Sequence, residues 1–134
     1  MVAAWADTAQ RRLLALPAEF ERVAHTGATL DAERLAFAPG ALASFEFAAG
    51  AHVYSYRLVP ACTPLDGRGM VQAAWIDADG NTLRVDLHYH PCSSDGRAAV
   101  ATIVAPRQTR KGQLYVGGAP GKAFALSDFV LMAR

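Results

Sequence analysis

An α+β domain is what this 134-residue sequence predicts: a kinked N-terminal helix, or two short helices, packed on a curved, mostly antiparallel sheet of six to eight strands. Three observations lead there. Apolar residues recur at intervals of three and four up to Val23. After Gly27 the period changes to two, the signature of half-buried strands. The connections in that second region are short and rich in turn residues, which favours hairpins over parallel crossovers. One domain spans 1–134, helical over 1–27 and mainly antiparallel strands over 33–134.

The helix rests on Trp5, Ala9, Leu13, Leu16, Phe20 and Val23, which form one apolar stripe with Arg11, Arg12, Glu19, Glu21 and Arg22 off it. Pro17 interrupts the stripe, because proline removes a helical hydrogen bond and clashes with the preceding turn. Gly27 is the expected stop. Next, ERLAF and ALASFEF flank Pro39-Gly40 and read as a hairpin. AHVYSYRLV follows, then MVQAAWID and NTLRVDLHYH, joined through Ala78-Asp79-Gly80 as a second hairpin. Residues 51–59, 70–77 and 80–90 are expected to form a meander. AAVATIVA is apolar on both faces and is expected to be central; QLYV, within 112–116, is short and expected at an edge. KAFALSDFVLMAR reads as a final strand.

Composition narrows the function classes. A net charge of +1 argues against electrostatic capture of nucleic acid as the main task. No apolar run approaches the roughly 20 residues of a membrane span. The first residues, MVAAWADTAQRR, are too polar for a secretory signal, so the literal reading is cytoplasmic, or cell envelope if the chain has been trimmed from a longer one.

The stretch VDLHYHPC, residues 85–92, carries the densest chemistry. Alternation puts Leu83, Val85, Leu87 and Tyr89 on one face and Arg84, Asp86, His88 and His90 on the other. The polar row is expected to be the solvated face of an antiparallel sheet. Two functional readings stand beside that one. His88, His90 and Cys92 are the candidate metal ligands, although two imidazoles on a strand fall short of the three or four ligands zinc takes. Asp86 with His88 or His52 is the candidate acid–base pair, since a carboxylate can orient an imidazole that titrates near neutrality. No cofactor is expected. Cys62 and Cys92 are the candidate disulfide pair, with free thiols the default; in the expected meander their strand ends lie about 10 Å apart, beyond the roughly 7 Å a bridge allows. Phe45, Phe47, Tyr54, Tyr56 and Trp75 are the candidate ligand-binding aromatics, either walling an apolar cavity or forming ordinary core.

Several strings imitate motifs. GGAPGK has three residues between its glycines and Ala123 after the lysine, so it is not a phosphate-binding loop. DADGN places its glycine too early for a calcium loop. PRQTRKG is a small basic cluster with no aromatic platform. No glycine-serine-glycine elbow is present, and Cys92 with a neighbouring histidine makes a poor thiol–imidazole pair.

The chain is therefore expected to be a non-catalytic binding or protein-interaction domain, with a protein partner docking along the 112–116 edge. The alternative is a cavity that binds or converts a small apolar molecule using Asp86, His88 and His52. In addition, the amphipathic start, strands such as RLAF and HVYSYRLV, and the final strand ending in arginine make a pattern that is similar to the soluble part of minor type IV pilins. That resemblance implies an envelope filament component and a formed disulfide.

Overall fold

The computed structural model describes residues 11–31, 33–50, 52–60, 68–91, 97–118 and 122–134. They form nine strands: β1 Arg11–Leu16, β2 Ala24–Asp31, β3 Arg34–Ala48, β4 Val53–Pro60, β5 Arg68–Ile76, β6 Thr82–Pro91, β7 Ala99–Val104, β8 Lys111–Gly118 and β9 Phe124–Ala133. A single 3-10 turn, Phe20–Arg22, is the one helical element among the described residues. The expected α+β class is thus overturned: the fold is all-β. No helix of the described residues is long and apolar enough to cross a membrane.

Segment 11–16 shows why. Leu14 and Leu16, two residues apart, are buried, and the strand pairs antiparallel with β9 from Arg11↔Ala133 to Leu16↔Phe129. Six residues that end at a proline gain little from helical cooperativity. Pairing with β9 satisfies their backbone and buries two leucines, so tertiary structure overrides the helical spacing. Trp5 and Ala9, which began the apparent stripe, lie outside the described residues. The element order that resembled a pilin is therefore not found over the described part of the chain.

All pairings are antiparallel, in the order β6-β5-β8-β3-β9-β4-β7, with β1 on β9 and β2 on β3. The sheet curls into a nearly closed barrel with two flattened sides. Strand β3 makes the corner. Its first part, Leu35 to Phe37, pairs with β9, and its second, Leu42 to Ala48, pairs with β8. Between them lies Pro39-Gly40, where the expected hairpin is instead a bulge inside one continuous strand. Gly40 has φ +81°, a left-handed conformation that favours glycine. Opposite, Gly27 of β2 has φ +74°, and a Cβ there would sit 3.0 Å from that of Ala41. Bulges of this kind let a strand turn from one layer to the other.

Three further expectations are corrected by the pairing. β8 is central, between β5 and β3, so the proposed docking edge at 112–116 does not exist. β7 is an edge strand paired with β4, and its Val100 is 69% exposed. β4 pairs with β7 and β9 and not with β5, so the expected meander is broken at its first step. The β5–β6 hairpin does form around Ala78-Asp79-Gly80, and residues 124–133 are a strand, as read.

The core lies inside the barrel, where Trp75, Tyr54, Tyr56, Phe37 and Phe129 are its largest fully buried side chains. Gly112 stands opposite Phe47, and a Cβ there would fall 2.3 Å from the ring, so the aromatic packs directly on bare backbone.

Candidate functional site

Strand β6 is turned the opposite way from the expectation. Leu83, Val85, Leu87 and Tyr89 face outward, 39–49% exposed, whereas Asp86, His88 and His90 are half-buried on the inner side and Arg84, still exposed, begins the same row. Register explains this. Asp86 pairs with Ala73, His88 with Val71 and Arg84 with Trp75, all buried residues of β5, and side chains of directly paired residues share a face.

Arg84, Asp86 and His90 have hydrogen-bond partners there, and His88 has ring contacts. Trp75 Nε1 donates to Asp86 Oδ2 at 2.8 Å, and Arg84 Nε and Nη2 donate to the same oxygen at 3.1 and 2.9 Å. Arg84 also donates to the Val104 carbonyl on β7. The Tyr56 hydroxyl of β4 lies 2.5 Å from His90 Nε2, and the His88 ring meets the Tyr56 ring edge-on at 6.2 Å. The contacts from Arg84 to β7 and from His90 and His88 to β4 run across the gap between the ends of the sheet, so the polar row forms the seam that closes the barrel among the described residues.

The electrostatics suit a closed seam. Burial raises the Tyr56 hydroxyl well above its ordinary value of 10.0. Burial lowers His90 below its ordinary 6.5, and neighbouring His88 lowers it further. A neutral His90 hydrogen-bonded to a protonated tyrosine is therefore the resting pair.

The other candidates are placed as follows. His52 is exposed ahead of β4, and its carbonyl accepts from Ala105 N; Asp86 is engaged by Trp75 and Arg84, not by His52. The His88 and His90 rings are 6.3 Å apart, and no group of three or more His, Cys, Asp or Glu suited to a metal occurs among the described residues. Cys62 and Cys92 lie outside the described residues. Tyr54, Tyr56 and Trp75 are buried, and the rings of Phe47, Tyr54 and Trp75 pack tilted or edge-on against one another at 5.2–6.1 Å. Phe45 is partly buried beside Phe47, with the Arg22 guanidinium 5.2 Å over its ring. These aromatics fill the interior.

What sequence reading missed are the two outer faces. On one, the register aligns Leu87, Gln72, Tyr115 and Ser44 in one row and Val85, Ala74, Gln113 and Glu46 in the next. Arg68 lies over Tyr89 at one end, and Lys111 pairs with Glu46 at 3.1 Å at the other. On the opposite face, Ser55, Tyr56 and Arg57 of β4, Val100 of β7, and Val130 and Met132 of β9 line an open groove of about 320 Å³. Arg57 holds Asp128 Oδ2 through Nε at 3.0 Å and Nη2 at 2.6 Å. The only signal in the sequence was a single charge within each of two apolar strands, YSYRLV and ALSDFVL.

No family model matches the sequence, and no curated protein matches it. Solved structures share the fold. Accessory secretory protein 1, 2 and 3 of Streptococcus pneumoniae superposes with a TM-score of 0.54 at 10% identity, covering 84% of this chain and 86% of that one. The xylan-binding module CBM15 gives 0.52 at 15% identity over 83% and 84%. A family two carbohydrate esterase from Cellvibrio japonicus gives 0.57 at 9% identity, covering 93% of this chain but 34% of the esterase chain.

Proposed function

We propose that this chain is a non-catalytic binding domain that holds a glycan on the outer face formed by β7, β4 and β9. The observation that carries the reading is the groove there. Its floor of Val100, Val130 and Met132 is apolar, and Ser55 and Arg57 supply hydrogen-bonding groups, the combination found in small-molecule sites. Its volume falls at the lower end of the range of about 300–1,000 Å³ for such sites. The titratable groups of β6 support a role without catalysis, because they face packed side chains and one another inside the seam. The likeness to a xylan-binding module supports the ligand class.

Affinity electrophoresis of the purified chain through gels containing soluble polysaccharides tests the reading. Retardation by at least one polysaccharide, reversed by its own oligosaccharides, is expected; unretarded migration through every gel rejects it.

A second reading, a protein partner on the opposite face, is favoured by the exposed apolar row of β6, since clustered apolar exposure marks interaction surfaces. Concentration-dependent sedimentation that vanishes in Leu87→Lys would support self-association through this face, and invariant sedimentation would count against it.

A further inference from the structure

We infer that the groove selects uncharged sugar rings, and that Asp128 is the residue that sets this preference. The inference rests on the glycan reading above and assigns the ligand class of that same groove.

Among the described residues, Arg57 is the one charged residue that lines the groove. An arginine there, left alone, would favour a carboxylate, because its planar fork matches carboxylate geometry. It is not left alone. Asp128 takes both Nε and Nη2 on one oxygen, Oδ2, so the ligand meets a neutralised pair. Nη1 and Oδ1 stand outside that contact, one a donor and the other an acceptor. Sugar hydroxyls both donate and accept, so they can bond either atom. A sugar carboxylate reaching Nη1 would approach an arginine whose charge Asp128 already balances, and would gain little over an uncharged ring. Ser55 and its cross-strand partner Thr102 add hydroxyls along β4 and β7, and Val130 and Met132 offer an apolar floor to the C–H face of the ring.

Exposure argues that the pair is not there for the fold. The Arg57 and Asp128 side chains are 54% and 34% exposed, and ion pairs so open to water contribute little to stability. Substituting either is therefore expected to leave the barrel folded.

The test uses three probes in affinity gels: arabinoxylan and galactomannan as neutral polysaccharides, and polygalacturonate as an acidic one. The unaltered chain should be retarded by a neutral polymer and not by polygalacturonate. Arg57→Ala should weaken neutral binding by roughly tenfold or more, the effect of losing a hydrogen bond to a charged group. Asp128→Asn keeps the shape but releases the arginine, and should bind polygalacturonate at least about threefold better than the unaltered chain. If the unaltered chain prefers polygalacturonate, or if both variants bind as it does, the inference falls while the glycan reading stands. If no gel retards the unaltered chain, both fall. Amide and methyl shift mapping of the unaltered protein with a xylo- or manno-oligosaccharide is independent of any variant's folding. Shifts centred on Ser55, Arg57, Val100 and Met132 support the assignment, and shifts centred on Leu87 and Tyr115 overturn it.

Discussion

Asp86 Oδ2 collects hydrogen bonds from Trp75 and Arg84, and His90 Nε2 holds the hydroxyl of Tyr56. Tyr56→Phe leaves the ring packing in place and deprives His90 of its hydrogen-bond partner. A loss of about 1–2 kcal/mol is expected, the cost of one bond plus a partly buried group left unpaired, measured by urea denaturation at neutral pH. The same pair makes stability depend on pH in both directions. His90 binds its proton less readily in the folded protein than its ordinary 6.5, so below that value the unfolded chain takes up more protons. Stability is therefore full above 6.5 and falls as the pH drops through the lowered folded value. Tyr56, raised by burial, acts at the other end: its contribution is full below 10.0 and is lost as the pH rises beyond it. Urea midpoints at pH 7.5 and 5.0 should differ in the unaltered protein, and His90→Gln should reduce that difference; an undiminished difference would place the acid sensitivity elsewhere.

At the scale of the strand, β6 presents apolar residues to solvent and polar ones to the interior, an arrangement tolerated only because the inner groups are paired. β8 shows a different economy. Gly112 leaves room for the Phe47 ring, so Gly112→Ala must displace either the ring or the strand. A loss of about 1–3 kcal/mol is expected, as for other overpacked cores. Gly50, with nothing within 4 Å of an added Cβ, supplies the control, and Gly50→Ala should change the urea midpoint little. Equal effects at both positions would show that backbone freedom, not the ring, matters at Gly112.

Across the whole molecule, closure depends on the seam between β6 and the β4–β7 end of the sheet. Arg84 reaches from Asp86 to the Val104 carbonyl and ties the two edges together. Arg84→Met removes that tie while keeping much of the side-chain bulk. Amide exchange in β7 is expected to quicken by about tenfold or more, as befits a locally opened unit, while β8 and β9 keep their protection. Uniform acceleration would instead mean that the seam and the core open together.

How much of this was legible in the sequence differs from strand to strand. Alternation identified the strands at 53–60, 68–76, 82–91 and 124–133 and separated the two faces of β6 correctly, because a side-chain period of two is a local property of extended backbone. It also named Tyr56, Asp86, His88 and His90 as the residues worth watching. It did not reveal which face of β6 turns inward. A row of Arg, Asp and His reads as wet unless distant partners, here Trp75, Tyr56 and the Val104 carbonyl, are known to be waiting inside. The groove was equally hidden, since Ser55, Arg57, Val130 and Met132 are unremarkable alternate residues until β4 and β9 pair. By itself, then, the chain determined where extended segments lie and how their faces divide. Only the tertiary structure decided that 11–16 is a strand and not a helix, that β7 is an edge and β8 is central, and that Arg57 stands beside Asp128. Those outcomes depend on backbone partners up to 122 residues away, Arg11 beside Ala133 among them, and a local period carries no information about such pairings.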